Sequence, residues 1–400
     1  MNILYLSITP LFDLDERGIY TDLLRTFLKN GHSLTIYSPR SGVQKAKEHV
    51  NVSFRPIKVG SLTKVNPIKK IINYFIFSQK LGWALTSESS SYDLVLYSTP
   101  PIQLIGPLKI IKKRSKALFY LMLKDIFPQN AIDLRMLKTR GLLANLTRHF
   151  QKMEIDLYEL SDRIGVMSMA NQTYLLHHHP YLRNKVELLP NAIDLSVSPK
   201  ISSDRITIRK RYELPENAVI SVFGGNIGKP QGIDFIEKVI SAHEMLDDSI
   251  LLFVGNGTEY TRLRNYIQSI GASKAICLSQ LSKSEFDELL FHCDIGLLFL
   301  DYRFTIPNFP SRILSYFELS KPVLAATDKA TDIKDVLEKN ETGIWVPSND
   351  PEAFIKNLKT LVEQPNTRKK LGDNARLYLE QHWTIDKSYK TIMMHLSEGL

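Results

Sequence analysis

The sequence is poor in cysteine and contains no long apolar run. Its 400 residues include two cysteines, Cys277 and Cys293, each inside an apolar stretch, which excludes a disulfide framework and disfavours a thiolate metal site. We expect no conventional membrane-spanning helix, because no run of about 18 apolar residues occurs. The opening MNILYLSITPLFDLDERG has no basic segment ahead of its apolar run, which indicates a first strand rather than a signal peptide. These features are typical of a reducing cytoplasm.

Acidic residues are scarce in the first half of the chain. Residues 1–200 carry 27 Lys and Arg against 15 Asp and Glu, a net charge of +12, whereas residues 201–400 carry 24 against 27, a net charge of −3. The overall charge of +9 favours an anionic partner, which is a nucleic acid, a phosphate-bearing substrate or a membrane surface. We expect that partner to contact the first half.

Short apolar segments alternate with helix-length periodic segments in both halves. The first half contains NILYLSI, SLTIYSP, DLVLYSTP, ALFYLML and RIGVMS, and the second contains AVISVFGG, SILLFVGNG, AICLSQL, DIGLLFLD and PVLAAT. Continuous apolar runs indicate strands buried on both faces, so the pattern predicts an α/β protein with two Rossmann-like, mostly parallel domains. A polar, proline-bounded stretch places the boundary near residue 198. We expect domains at 1–198 and 199–381, with a tail of about 382–400 packing back onto the first.

The segment SVFGGNIGKPQGIDFIEKVI is the most informative motif. A predicted strand ends at Gly224-Gly225, a short loop carries Lys229, and a helix begins near Gly232. Glycines let backbone amides approach an anion and the helix N-terminus adds a positive dipole end, so such a loop is suited to hold phosphate. An ordinary strand-loop-helix turn is the alternative, since glycine patterns alone are weak evidence.

The string GGNIGKPQGID resembles the glycine-rich loop of family 4 glycosyltransferases, especially the bacterial capsule and O-antigen branch with its N-acetylfucosamine-type sugar transferases. Further segments match the family in order: NILYLSITP with Gly31-His32, KDIFPQNAI, KVELLPNAID and FVGNGTEYTRL. The resemblance therefore covers almost the whole chain. It implies the GT-B fold, in which two Rossmann-like domains face each other across a cleft.

A second predicted phosphate-binding element begins at Pro310-Ser311, where Ser311 or Asn308 is available as a helix cap and Arg312 stands in the first turn. A solvated surface arginine is the alternative. The resemblance makes this segment the donor helix, yet the family's two glutamates fall at Pro307 and Ser315. Its loop arginine and lysine likewise fall on uncharged residues, Asn226 and Gln231.

Lys229 and Arg312 are therefore the cations expected to meet the diphosphate of a nucleotide-sugar. Glu318 is a candidate ribose contact, with helix packing or an ion pair as the alternative. The nucleobase is expected near the backbone of LSQL. The predicted donor-binding residues are Gly225, Asn226, Ile227, Gln231, Gly255, Leu281, Pro310, Ser311, Ser315 and Glu318.

The candidate acceptor residues follow the first and fourth apolar segments. Asp125 stands at the carboxyl end of ALFYLML, where open α/β sheets bind ligands, and is a candidate to take a proton from an acceptor hydroxyl. A turn-capping carboxylate is its alternative. Lys124 is a candidate to hold a phosphate. Arg17 and Gly18 occupy the position of the family's first glycine loop.

The basic first half also predicts a membrane surface. The segment VGSLTKVNPIKKIINYFIFSQKLGWAL mixes lysines with aromatic residues, as an interfacial amphipathic helix does. Its predicted membrane-contacting residues are Lys69, Lys70, Phe75, Phe77 and Trp83. A solvated face around a core helix is the alternative. Nucleic acid is the rival anion, but no recognised nucleic-acid module occurs.

The resemblance implies a retaining, metal-independent transfer from a UDP-sugar, N-acetylated or deoxy, to a polyprenyl-diphosphate-linked saccharide on the inner face of the cell membrane. No cofactor is expected. A zinc site at His177-His178-His179 is disfavoured, because three consecutive side chains do not face one point. The alternatives are a non-catalytic GT-B scaffold of a polysaccharide assembly complex, and a nucleotide-sugar epimerase.

Overall fold

The protein is described from a computed structural model, which covers residues 1–7, 9–40, 42, 46–60, 67–88, 90–141 and 144–397, without the side chains of 67–71 and 397. The chain forms two compact units, one of residues 1–194 with 385–400 and one of residues 195–384. The break thus falls at residue 194, against the expected 198, and the returning tail begins at residue 385, against the expected 382.

The first unit contains a parallel sheet of seven strands in the order β3-β2-β1-β4-β5-β6-β7. Its elements are β1 (Asn2–Leu6), α1 (Ile19–Lys29), β2 (Ser33–Arg40), β3 (Val52–Lys58), α2 (Pro67–Thr86), β4 (Leu94–Thr99), α3 (Ile105–Lys112), β5 (Leu118–Leu123), α4 (Gln129–Asp133), α5 (Ala144–Leu160), β6 (Arg163–Val166), α6 (Met169–His178) and β7 (Val186–Leu188).

The second unit contains a parallel sheet of six strands in the order β10-β9-β8-β11-β12-β13. Its elements are α7 (Arg205–Arg211), β8 (Val219–Asn226), α8 (Ile233–His243), β9 (Ser249–Asn256), α9 (Tyr260–Ser269), β10 (Ala275–Ser279), α10 (Lys283–Phe291), β11 (Ile295–Phe299), α11 (Arg312–Glu318), β12 (Val323–Thr327), α12 (Ile333–Lys339), β13 (Gly343–Pro347), α13 (Pro351–Glu363) and α14 (Pro365–His382).

The last helix, α15 (Ile385–Ser397), belongs to the first unit. Its residues Ile385 and Ile392 join the apolar core between α1 and the sheet. The Nε2 atom of His32 lies 2.9 Å from the hydroxyl of Tyr389, and the two groups share a hydrogen bond. The tail is therefore an integral layer of this unit.

Both sheets are mostly buried on their two faces, as the continuous apolar runs predict. Every residue of β4, β11 and β12 is buried. Strands β3, β7 and β13 were not predicted, and all three are short or lie at an edge, where partial exposure interrupts the apolar run. The prediction of two Rossmann-like α/β domains is confirmed.

Candidate functional site

The strand order of the second sheet reverses at β8. The chain passes from β8 to β9 on one side of β8, and later places β11 on the other side. Ligands of open parallel sheets bind where the strand order reverses in this way. The loops that follow β8 and β11 meet here, because the Asp301 backbone N–H donates to the Pro230 carbonyl oxygen at 2.9 Å.

The glycine-rich loop is folded by its own side chains. Gln231 is buried, and its Oε1 accepts hydrogen bonds from the Gly228 backbone N–H at 3.0 Å and from Nδ2 of Asn226 at 3.2 Å. Gly232 adopts a left-handed φ of 66°, and a Cβ built on it would lie 3.3 Å from Cα of Asp301. Gln231 therefore shapes the loop, and Asn226 remains exposed at its surface.

Two predicted donor-binding residues, Ile227 and Gly255, are structural. The side chain of Ile227 is buried in the apolar core, its N–H donates to Asn256, and its carbonyl accepts from Glu259. Gly255 is required by close approach, since a Cβ there would overlap the carbonyl oxygen of Gly225 on the neighbouring strand. The Ile227 side chain thus serves the core and Gly255 serves strand packing, and contact of a nucleotide with their backbone stays a prediction.

Arg312 lies against the same loop. Its guanidinium carbon is 4.1 Å from the centre of the Phe223 ring, and a Cβ on Gly225 would be 3.5 Å from its Nη2. Its Nη1 is buried and has no hydrogen-bond partner within the described residues. Burial lowers the pKa of Arg312. Together with the exposed Lys229, this side chain brings positive charge to the glycine-rich loop.

The other predicted donor-binding residues differ in burial. Ser311 is exposed but makes no side-chain cap hydrogen bond, which corrects the prediction of a capping serine. Pro310, Ser315 and Leu281 are half-buried. Glu318 is buried at the opposite end of α11 from Arg312, and its carbonyl accepts from Arg376 at 2.9 Å. This position fits the alternative of helix packing, and the ribose contact stays a prediction.

Tyr316 is a residue that the sequence reasoning missed. Its buried hydroxyl lies within hydrogen-bond distance of the Gly224 N–H, the Val222 carbonyl and the Leu297 carbonyl, at 3.1–3.2 Å. It thereby joins α11 to β8 and β11, and so fixes the helix that carries Arg312. The signal was its place one turn after Arg312, on the apolar side of α11.

The carboxyl end of β5 separates the two predicted acceptor residues. Tyr120 and Met122 belong to the core beneath α1 and α15, and successive side chains of a strand point to opposite faces. Lys124 continues the same face, since it lines a small cavity with Tyr20 and Asn191. Asp125 therefore faces the other way, where Nδ2 of Asn130 donates to its Oδ2 at 2.6 Å. The two residues do not form one site.

Asp125 and Glu154 both have raised pKa values, chiefly because both carboxyl groups are buried. Burial raises the pKa of Asp125 to about 6, and the Oδ1 of this carboxyl group is buried without a hydrogen-bond partner in the described structure. Burial, with a contribution from Asp125, raises the pKa of Glu154 to about 7, and Oε1 of Glu154 accepts a hydrogen bond from Tyr158 at 2.8 Å. Sequence reasoning missed Glu154, which the i,i+4 pair with Tyr158 on α5 could have indicated.

Lys124 lies on the other face of β5 from Asp125, and Arg17 and Gly18 lie in the loop between β1 and α1. Burial lowers the pKa of Lys124 to about 7. Arg17 is half-buried. Gly18 precedes α1 with an extended φ of 172°, which any residue adopts, and its N–H donates to Oδ1 of Asp22 at 3.1 Å. The first loop is therefore held by the buried Asp22 without a special glycine geometry.

Comparison with known proteins finds glycosyltransferases. Residues 204–378 match the family model of the group 1 glycosyl transferases. The chain is 24% identical over 321 residues to the probable glycosyltransferase WbjE of Pseudomonas aeruginosa. The matched region covers 79% of this chain and 76% of that protein. It is 26% identical over 188 residues to the putative colanic acid biosynthesis glycosyl transferase WcaI of Escherichia coli, across 46% and 44% of the two chains. These matches make the chain a glycosyltransferase, with the group 1 match lying in its second unit.

Solved structures agree on the fold of this glycosyltransferase. Sucrose-phosphate synthase from Thermosynechococcus elongatus superposes with a TM-score of 0.75 at 15% identity, over 99% of this chain and 98% of that one. HepE of Anabaena, solved in complex with UDP, superposes with a TM-score of 0.69 at 15% identity over both complete chains. These likenesses confirm the GT-B fold.

Helix α2 of this glycosyltransferase has one buried and one exposed face. Phe77 is fully buried with Leu81 and Leu85, so its assignment to a membrane surface is wrong. Phe75 and Trp83 are 59% and 80% exposed on the other face. The side chains of Lys69 and Lys70 lie outside the described residues. Among the helices described, none has the length and hydropathy needed to cross a bilayer.

The histidine and acidic clusters give little indication of a metal site. His178 ends α6 and Pro180 follows one residue later, as the sequence predicts for a helix end. In the described part of the chain, Asp13, Asp15 and His49 place ligand atoms within 4.8 Å of one another. That group is largely exposed, and Lys47 already pairs with Asp15. The expectation of a metal-free enzyme stays a prediction.

Proposed function

We propose that this glycosyltransferase moves a sugar from a UDP-sugar to a polyprenyl-diphosphate-linked saccharide during cell-surface polysaccharide synthesis. The observation that carries the proposal is Arg312, a cation without an acidic partner in the described structure, beside the glycine-rich loop at the strand-order reversal. HepE, which shares the fold, was solved with UDP and with UDP-glucose. WcaI is named for colanic acid biosynthesis, which supports a polysaccharide product. An N-acetylated or deoxy sugar is proposed from the family resemblance.

The donor half of the reaction needs positive charge at the leaving diphosphate. Preorganised charges and dipoles stabilise such a group more effectively than water does, because they are already oriented when the charge develops. Arg312 and Lys229 supply two cations, and the eleven-residue α8 presents its N-terminus beside the loop. In this proposal these groups perform the role of a metal ion. The leaving phosphate accepts the acceptor's proton, and the anomeric configuration is retained.

The acceptor half of the proposal rests on Asp125. One of its oxygens is held by Asn130, and the other is buried without a hydrogen-bond partner in the described residues. A carboxylate in this state can accept a hydrogen bond from an acceptor hydroxyl and orient that hydroxyl. Lys124, on the opposite face of β5, does not share this role.

The membrane half of the proposal rests on Phe75 and Trp83, which are exposed on one face of α2 beside Ile72. Aromatic side chains at a lipid interface bury apolar area, and the +12 charge of residues 1–200 adds attraction to anionic lipid. Flotation with anionic liposomes should carry the wild type upward at low salt. Trp83→Ser should weaken flotation, whereas Met245→Ser, a matched change of an exposed residue in the second unit, should not. Equal flotation of all three proteins would contradict the assignment.

Calorimetry with UDP tests the donor site. Arg312→Ala should lower UDP affinity by at least tenfold, since a hydrogen-bonded charge pair contributes more than about 1.4 kcal/mol. Arg205→Ala is the matched control. Arg205 is exposed beside Asp294, which directly precedes β11, so it lies at the amino end of the strands, away from the glycine-rich loop. Unchanged binding by Arg312→Ala would refute the site, and a wild type that binds neither UDP nor a UDP-sugar would favour the scaffold alternative.

Product analysis tests the chemistry. Proton NMR of the newly formed linkage should show the anomeric configuration of the donor, and an inverted product would exclude the proposed mechanism. Turnover should persist after exhaustive treatment with EDTA. Loss of turnover that added Mg²⁺ restores would show instead that a metal supplies part of the charge.

A further inference from the structure

Arg312 is held differently from other arginines of its unit. Arg303 forms a two-point ion pair with Asp301, at 2.8 and 2.6 Å, and Arg209 donates to three backbone carbonyls. Arg312 has no hydrogen bond or ion pair within the described part of the chain, and its guanidinium lies over an aromatic ring. Its positive charge is therefore not neutralised by the protein.

The ring beneath Arg312 is fixed in place. Phe223 belongs to β8, is fully buried, and lies 6.3 Å and 5.7 Å from the rings of Phe253 and Phe299. On the loop side, Gly225 has a φ of 122°, and a Cβ built on it would lie in van der Waals contact with the guanidinium, 3.5 Å from Nη2. The ring below and the glycine beside it thus restrict where the guanidinium lies.

An aromatic face attracts a cation without using its hydrogen-bond donors. A carboxylate partner would orient the arginine equally well, but it would occupy N–H groups and cancel the charge. A guanidinium above Phe223 keeps its N–H edge available for an anion, and a planar fork suits two oxygens of a phosphate. The unpartnered Nη1 of Arg312 is consistent with this state.

We propose that Phe223 is a positioning residue, whose ring holds the Arg312 guanidinium beside Gly225 so that its N–H groups meet the diphosphate of the nucleotide-sugar. The inference rests on the proposed donor site and adds the residue that prepares its main cation. Phe223 itself touches no substrate in this scheme. Its contribution depends on the electrons of the ring as well as on its volume.

The test compares two phenylalanines that are partners across neighbouring strands. Phe223 and Phe253 are paired in register on β8 and β9, and both are fully buried in one core cluster, but only Phe223 lies under Arg312. Phe223→Leu should weaken UDP and inorganic pyrophosphate binding by about 2- to 30-fold, which is ~0.5–2 kcal/mol at ~1.4 kcal/mol per tenfold. Phe253→Leu should change both affinities less than twofold, and uridine binding should be unaffected by either.

Fluorinated phenylalanines separate the ring's electrons from its packing. Replacing Phe223 with monofluoro, difluoro and pentafluoro analogues withdraws electron density while the shape stays nearly constant. UDP affinity should fall stepwise in this series, and the same series at Phe253 should leave it unchanged. A flat response at Phe223, or equal losses in the two leucine variants, would overturn the positioning role while leaving the donor site intact. A wild type that binds neither UDP nor pyrophosphate would overturn the donor site and the inference together.

Discussion

Glu288→Gln should destabilise the second unit strongly although it removes only one charge. Glu288 is buried on α10, and its Oε1 accepts from the Ser202 N–H at 3.0 Å, the Ser202 hydroxyl at 2.6 Å and the Ser203 N–H at 2.9 Å. Oε2 lies 3.3 Å from Nη1 of Arg211. The carboxylate therefore accepts hydrogen bonds from three donors of Ser202 and Ser203 and so fixes this segment of the second unit against α10.

The magnitude follows from the change of a charged acceptor to a neutral one. Hydrogen bonds to charged groups contribute about 1.5–3 kcal/mol and neutral ones about 0.5–1.5 kcal/mol, so three bonds lose roughly 3 kcal/mol together. For a unit of this size that loss lowers the melting temperature by roughly 6–12 °C, at about 2–4 °C per kcal/mol. Differential scanning calorimetry of the full chain at pH 7 measures the shift. Glu285→Gln, one turn earlier on α10, is the control, because glutamine also completes the Ser282 capping box.

The pH dependence gives an independent sign test of the same interaction. The hydrogen bonds from Ser202 and Ser203 lower the pKa of Glu288 to about 2. A lowered native pKa means that the stabilisation is complete above the ordinary value near 4.5 and disappears as the pH falls towards 2. The difference between wild type and Glu288→Gln should thus be constant from pH 7 to 5.5 and become smaller below pH 4.5. A shift under 2 °C at pH 7, or a difference that grows in acid, would refute the reasoning.

Two other variants test buried positions, one at the proposed acceptor residue Asp125 and one at Gly255, beside the glycine-rich loop. Asp125→Asn should lower turnover at least tenfold yet stabilise the protein at pH 7, because burial raises the Asp125 pKa to about 6 and the native state at pH 7 holds a costly buried charge. Thermal melts should show that this gain in stability vanishes below pH 4. Rate assays measure turnover, and an unchanged rate would contradict the acceptor role. Gly255→Ala should destabilise the second unit by several kcal/mol or abolish soluble expression, since its Cβ overlaps the Gly225 carbonyl oxygen. Gly271→Ala, at an open surface turn where only backbone strain opposes a side chain, is the control, and equal melting temperatures of the two variants would show that the strands separate without cost.

Sequence reasoning predicted the fold where a single local rule decides the structure. The continuous apolar runs predicted the central strands of both sheets, and the Ser282-Glu285 capping box is present at the start of α10. The family resemblance agrees with the group 1 match over residues 204–378, and the motifs that suggested it follow one another in the same order across the chain. Edge strands such as β3 were missed because their exposure depends on which neighbours the fold supplies.

The side-chain environment was predicted less well, because it depends on burial in three dimensions. Phe75 and Phe77 are two residues apart on α2, yet one is exposed and the other is in the core. The spacing of Phe77, Leu81 and Leu85 marks a buried stripe, and this signal was overlooked in favour of composition. Lys124 and Asp125 show the same effect in a strand, where adjacent positions point to opposite faces.

In the proposed donor site, the uncharged residues of the glycine-rich loop do not argue against phosphate binding. Asn226 and Gln231 stand where the resembling family has an arginine and a lysine, and here their amides hydrogen-bond to each other and to the loop backbone. Such a loop is ordered before the ligand arrives, whereas two cations in the same place would repel each other until an anion separated them. The positive charge enters instead from α11, on Arg312, above the ring of Phe223. Because fewer cations then share the diphosphate, the loss of this one arginine should weaken donor binding more than the loss of one cation among several.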